Sequence, residues 1–208
     1  MAIYDNFAQK FARTRELAWP DLEEAISYPL VLSYLTLDII DIGCGSGRLL
    51  DYILPRISKP RYTWYDVSEG MIQEAKLRYP DYQFEVQDML TAKHIEWVDI
   101  AFYIASFHHL LTEGDQMKAL ESLSLVLKEG GIAVFLNWNL RSERLLNKYP
   151  PSQESLNIRH IPFAGYSRSY RAWWLDELTN SFEKAGFQSL VATKTCTDAN
   201  LLHIIQKK

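Results

Sequence analysis

Residues 38–50 read DIIDIGCGSGRLL. An aliphatic run ends at Ile42, glycines stand at 43, 45 and 47, and a second apolar run begins at Leu49. The order predicts a buried strand, a tight turn and a helix from about Arg48. Glycine permits positive φ in such a turn and lets backbone N–H groups approach a ligand, so the stretch is either a ligand cradle or a structural strand-to-helix turn. Outward from it, RYTWYD (61–66), YQFEVQ (82–87), WVDIAFYI (97–104) and GIAVFLNW (131–138) predict further strands. Helices are expected over SEGMIQEAKLRY, with Ser68 as N-cap, and from about Gly114 to Lys128, where EGG supplies a glycine stop. Such alternation predicts an α/β fold, a parallel sheet wound with helices on both faces. Before it, two helical segments are expected at 4–18 and 21–36, broken at WPD, with Phe7, Phe11, Leu22, Ile26 and Leu30 at helical spacing. After residue 138 the rhythm lapses for some thirty residues. It resumes with a helix near 174–185 and a terminal hairpin, FQSLVATKT and NLLHIIQKK around CTDAN.

The 208 residues, 48% hydrophobic, suffice for one domain with a sizeable core. Its expected parts are an N-terminal helical lid (1–36), a core (37–138), an insert (139–172) and a C-terminal helix and hairpin (173–208). A net charge of −4 gives no overall pull toward nucleic acid or anionic membrane, so neither DNA nor a bilayer is an expected partner. Two distant cysteines, Cys44 and Cys196, with neither a signal peptide nor a long apolar run, predict a cytoplasmic protein.

Asp66 ends the second strand nineteen residues after Gly47, where a carboxylate can accept both ribose hydroxyls of an adenosine ligand; a solvated strand-end aspartate is the alternative. A dinucleotide loop wants G-x-G-x-x-G above a pyrophosphate. Here the order is G-x-G-x-G preceded by Asp41, and DIGCGSG resembles motif I of class I S-adenosylmethionine-dependent methyltransferases. YDVSEGMI is similar to their second strand, VQDML to the adenine-binding segment, VDIAFYIASFHHL to the fourth strand, and VLKEGGIAVF to the helix, turn and strand after it. The resemblance implies S-adenosyl-L-methionine as cofactor. It implies a Rossmann-like, doubly wound, mostly parallel seven-stranded sheet with an antiparallel C-terminal strand, preceded by N-terminal helices. It also implies a cofactor site made by Asp41, Gly43, Gly45, Gly47, Asp66, Val67, Asp88 and Ala105. Met71 and Met89 either flank the adenine ring or are plain core.

YDNFAQKFARTRELAWPDL, IASFHHL, FLNWN, IPF and YSRSYRAWWLDEL resemble the tRNA wobble-uridine carboxymethyl methyltransferases. That likeness implies methyl transfer to a carboxymethyl group on tRNA, substrate held by Arg168, Tyr170 and Arg171, and a lid contact by Arg15, whose alternative is an exposed helix arginine. From Asn139 to Ala172, Arg141, Arg144, Lys148, Arg159, Arg168 and Arg171 outweigh Glu143 and Glu154, a local charge of +4 that leaves −8 for the rest. With Tyr149, Tyr166, Tyr170, Trp173 and Trp174 interleaved, the insert is either an RNA-binding surface or a solvated loop over packed aromatics. A carboxylate nucleophile needs orientation only, whereas a hydroxyl or ammonium acceptor needs a base, for which His108 and His109 are the candidates; packing at the pocket wall is their other role. Trp138 is expected either at that wall or in the core. No metal-ligand spacing, nucleophile elbow or P-loop lysine is present in the sequence. A tRNA methyltransferase, a small-molecule O- or N-methyltransferase and a non-catalytic cofactor-binding regulator remain open, with a small activating subunit as a further possible partner.

Overall fold

The computed structural model describes residues 2–15, 18–34, 38–57, 61–91 and 97–208. Nine strands are described: β1 (Asp38–Ile42), β2 (Arg61–Asp66), β3 (Phe84–Val86), β4 (Val98–Ile104), β5 (Leu127–Trp138), β6 (Ile158–Phe163), β7 (Tyr166–Arg171), β8 (Phe187–Lys194) and β9 (Asn200–Lys207). Seven of them form one sheet in the order β3-β2-β1-β4-β5-β9-β8, and β6 pairs with β7 separately. The pairings from β3 to β5 are parallel, while β9 runs antiparallel to both neighbours. The predicted Rossmann-like sheet, its antiparallel C-terminal strand and its terminal hairpin are all present.

Alternation along each strand sorts the apolar side chains onto two faces. Ile39, Trp64, Ile100, Phe102, Ile132 and Val134 pack on one face with Leu22 of α2 (Pro20–Ile26), Leu50 of α4 (Leu50–Ile53) and Ile72 of α5 (Glu69–Arg78). Ile40, Ile42, Ala101, Tyr103, Ala133 and Phe135 pack on the other with Leu120 and Leu123 of α6 (Glu113–Val126) and Leu178 and Phe182 of α8 (Leu175–Lys184). Both faces are covered, which is why these strands read as nearly continuous apolar runs. Each such large side chain taken from water contributes about 1.5–3 kcal/mol before the entropy of ordering is subtracted.

Four expectations need correcting. The N-terminal helices are shorter and more broken than periodicity suggests: a 3₁₀ turn at Ile3–Asn6 precedes α1 (Ala8–Arg13), and α2 is separated from α3 (Pro29–Tyr34), where Pro29 cannot donate to a continuing helix. Residues 16–17 and 35–36 of those predicted helices lie outside the described residues. The helix after the glycine turn begins at Leu50, not Arg48. EGG does not stop α6, which ends at Val126 and passes straight into β5; a Cβ on Gly131 would stand 3.0 Å from the Asp99 carbonyl, where the β4–β5 register shifts. Finally, the insert is not an irregular loop. It forms α7 (Glu143–Lys148) and the β6–β7 hairpin, over a small core of Leu140, Leu145, Ile161, Tyr170 and Ala172.

Candidate active site

The glycine turn lies at the carboxyl end of β1, where a parallel sheet opens a crevice. Gly43 has φ +75°, and a Cβ there would come within 2.5 Å of the Ser106 Cβ, so no side chain fits. Its N–H and that of Cys44 both reach the Tyr65 carbonyl, at 2.9 and 3.0 Å, tying the turn to β2. Gly45 donates its N–H to Asp66 Oδ2 and Ser68 donates its own to Oδ1, each at 2.9 Å. Burial pushes the Asp66 carboxyl up and these N–H donors pull it back. Gly47 is a correction: a Cβ there would meet the rings of Tyr79 and Phe84 at 3.1–3.2 Å, so this glycine serves packing and does not line the cavity.

A cavity of about 1010 Å³ opens beside the turn. One wall carries Asp41, Gly43, Gly45, Asp66, Val67, Met71, Asp88, Met89 and Ala105, nearly the whole predicted cofactor set. Asp41 is buried, its Oδ1 has no partner among the described residues, and burial with the nearby Asp66 charge holds its carboxyl well above the usual range. Ala105 has φ +53°, a conformation disfavoured for any side chain, at the end of β4. Ser68 caps α5 as expected, accepting from the Met71 N–H at 3.2 Å.

The rest of the lining is cationic and aromatic. Arg15, Arg48, Arg144, Lys148 and Arg168 belong to it with Tyr4, His108, His109, Trp138 and Tyr170. Arg168 is 4% exposed, its guanidinium lies 5.1–5.8 Å from the rings of Phe163, Phe11, Tyr170 and Tyr4, and its Nε is unpartnered. It makes no ion pair among the described residues. Arg15 lies over Phe11 at 4.3 Å, and burial, then the guanidiniums of Arg48 and Arg168, lowers its pKa. Trp138 stacks on Tyr170 at 5.4 Å with an interplanar angle of 6°.

Both candidate bases are already engaged. His108 is buried and its Nδ1 accepts from the Trp138 N–H at 3.2 Å. Burial first, then His109 and Arg168, drives its pKa well down. His109 falls to about 4 through burial and the Arg168 charge, and its Nε2 stands 3.0 Å from the Tyr4 hydroxyl. At neutral pH both rings are uncharged, and His108 Nδ1 already accepts a hydrogen bond. Arg171 does not join them: it pairs with Glu177 at 2.5 Å, lies over Trp173 at 4.9 Å and is absent from the cavity wall.

Of the other insert cations, Arg159 is fully buried and bonded to the Leu156 and Ile158 carbonyls, while Arg144 and Lys148 remain exposed at the cavity rim. Tyr4, Arg48 and Ser106 are wall residues that sequence reasoning missed, although a tyrosine opens the N-terminal segment. Next to the cavity-lining Asn200, which donates to Asp21, the structure brings Asp21, Glu24 and Cys196 within 4.8 Å. Their oxygens already accept from the Thr197 hydroxyl and the Cys196 N–H, at 2.6 and 2.7 Å. No helix among the described residues is long and apolar enough to cross a membrane.

Residues 40–133 match the model of a methyltransferase domain family. The chain is 30% identical over 161 residues to the tRNA (carboxymethyluridine(34)-5-O)-methyltransferase of Arabidopsis thaliana, covering 72% of itself and 35% of that protein. It is 28% identical over 134 residues to the trans-aconitate 2-methyltransferase of Escherichia coli, with 64% and 52% covered. The chain thus spans about a third of the first relative's length and about half of the second's. An S-adenosylmethionine-dependent methyltransferase from Clostridium acetobutylicum superposes with a TM-score of 0.72 at 14% identity, covering 99% of each chain. A chain from the complex of the Haloferax volcanii Trm112 methyltransferase activator with a methyltransferase gives 0.73 at 18%, covering 98% and 95%.

The cofactor wall fits S-adenosylmethionine. The Asp66 carboxylate suits ribose hydroxyls, the unpartnered Asp41 oxygen and the side-chain-free turn at Gly43 suit a zwitterionic tail, and Val67, Met71 and Met89 offer an apolar slot beside Asp88. Residues 40–133 match a methyltransferase domain, and the chain has the fold of solved S-adenosylmethionine-dependent methyltransferases.

Proposed function

We propose that this chain transfers a methyl group to a carboxylate, giving a methyl ester, and that its acceptor is the carboxymethyl group of a tRNA wobble uridine. The observation that carries this is the make-up of the cavity, whose lining gathers Arg15, Arg48 and Arg168 alongside the acidic residues expected to hold the cofactor. An anion is the acceptor such a wall favours, and a carboxylate is ionised at neutral pH without help. The bound cofactor supplies an activated methyl group on a sulfonium. Arg168 and Arg15 hold the acceptor by charge, Trp138 and Tyr170 offer a flat surface for a base, and the wall's task is to keep nucleophile and methyl group within about 3–3.5 Å. His108 and His109, both neutral, shape the wall and take no proton.

The Arabidopsis relative supports the tRNA acceptor, and Arg144 and Lys148 at the rim suit flanking phosphates. A Trm112-like activator is a partner we propose with it, since a structural neighbour comes from such a complex. The second reading is a small polycarboxylic acid, favoured by the relative whose name gives trans-aconitate as its acceptor. The test incubates the protein and labelled S-adenosylmethionine, with and without an activator, with tRNA lacking the ester and in parallel with trans-aconitate, followed by mass spectrometry of the nucleosides and of the acid. Label is expected on carboxymethyluridine. Label in trans-aconitate and none in tRNA moves the conclusion to the second reading.

A further inference from the structure

We propose that Tyr4 is a positioning residue of the acceptor site, delivered by the N-terminal segment and locked there from the cofactor side. The proposal rests on reading the cationic wall as the acceptor's. The Tyr4 hydroxyl lies 3.0 Å from His109 Nε2, 3.2 Å from the Tyr170 hydroxyl and 3.4 Å from Arg168 Nη1. Arg168 donates to the Tyr4 oxygen, and the same hydroxyl shares hydrogen bonds with the His109 ring and the Tyr170 hydroxyl, so three cavity residues hold it in place. Arg168 has no carboxylate counter-ion among the described residues, and Tyr4 is the one side chain there that hydrogen-bonds it. The Tyr4 oxygen thus sets where the guanidinium points while leaving its charge for a ligand, and the unpartnered, buried Nε is consistent with a missing anion.

Tyr4 cannot reach this place unless residues 3–8 are seated. Asp5 Oδ1 accepts from the Ser68 hydroxyl at 2.6 Å and the Gly70 N–H at 3.1 Å, at the first turn of α5. Gly70 leaves room for nothing larger, since a Cβ would stand 3.0 Å from that of Ala8. Ser68 in turn donates its N–H to Asp66 Oδ1. One hydrogen-bonded path therefore runs from the cofactor carboxylate through Ser68 to Asp5, and the adjacent residue completes the anion wall. A cofactor held by Asp66 would, through this path, favour the seated segment and so prepare the acceptor site.

The probe is malonate, titrated by calorimetry into the intact protein saturated with S-adenosylhomocysteine, at constant ionic strength. Tyr4→Phe keeps the ring and removes only the hydroxyl. Malonate affinity is expected to fall about tenfold, as for loss of a hydrogen bond to a charged group, with S-adenosylhomocysteine affinity and melting temperature unchanged. Asp5→Ala should weaken both ligands together. Unaltered malonate binding in Tyr4→Phe, parallel loss of both ligands in that variant, or no malonate binding by the unaltered protein would each overturn the proposal. So would an Asp5→Ala variant that binds both normally. If the malonate split appears but labelled methyl never enters tRNA, the tRNA acceptor falls and the role of Tyr4 stands.

Discussion

Asp66 and Gly43 illustrate two kinds of necessity at the residue scale. Replacing Asp66 with alanine removes the acceptor held between the Gly45 and Ser68 N–H groups. S-adenosylhomocysteine binding should weaken by about 1.5–3 kcal/mol while the fold survives, which calorimetry and a thermal melt together would check. Gly43→Ala adds a Cβ 2.5 Å from that of Ser106 at φ +75°. It should cost stability by more than about 1 kcal/mol, visible as a lower urea midpoint. Both positions are legible in the sequence, because a glycine turn after a strand and an acid ending the next strand have fixed places in this topology. Arg168 and Arg171 are not separable in that way. On β7, residues 168 and 170 face inward and residue 171 does not, so the distinction depends on knowing that the segment is a strand. Arg168→Ala should impair turnover with S-adenosylmethionine binding intact. Arg171→Ala, losing a partly exposed pair with Glu177, should cost only about 0–1 kcal/mol of stability and leave turnover alone.

The β6–β7 hairpin, at the scale of the element, escapes sequence reading for a definite reason. Its inward positions are Arg159, Ile161, Arg168 and Tyr170, so two of the four buried side chains are arginines and the expected apolar alternation is disguised. Pro162 within β6 further weakens the strand signal. By contrast β1, β4 and β5 announce themselves, since helices cover both faces and each carries an apolar run. The N-terminal segment is an element of another kind: Ile3, Tyr4, Phe11, Thr14 and Arg15 line the cavity, yet none of residues 2–15 belongs to the described core clusters. Deleting residues 1–15 should therefore weaken S-adenosylhomocysteine binding severalfold while the main unfolding transition persists. Calorimetry and circular dichroism would check the two halves of that expectation.

Charge over the whole molecule is not spread as composition suggests. The insert's +4 does not coat its exterior: Arg159 and Arg168 are buried, Arg171 is paired, and Arg144 and Lys148 are left exposed at the cavity rim. If tRNA binds there, affinity should fall linearly on a log–log salt plot, and Arg144→Ala and Lys148→Ala should each reduce the slope by about one. Acid sensitivity has its origin in the same burial. His109 and His203, both pushed down to about 4 chiefly by burial, stay neutral in the folded state while the unfolded chain protonates near 6.5. Between those limits the unfolded state binds more protons, so stability should drop as pH falls from about 6.5 to about 4. Asp41 acts in the opposite sense, because its raised carboxyl keeps a proton that the unfolded chain has lost. Asp41→Asn should thus steepen the acid loss, measurable by urea titration across that range.

The position of β9 has a consequence for synthesis on the ribosome. It lies between β5 and β8, although it comes after both in the chain. Until residue 207 has left the exit tunnel, the long strand β5 presents an edge of unsatisfied amides and carbonyls flanked by Ile132, Val134 and Leu136. The nascent protein can assemble the cofactor half of its sheet early, but it carries this adhesive margin through translation. A chain arrested before residue 200 should associate with holdase chaperones or aggregate, whereas one that includes β9, with this margin sealed, should not.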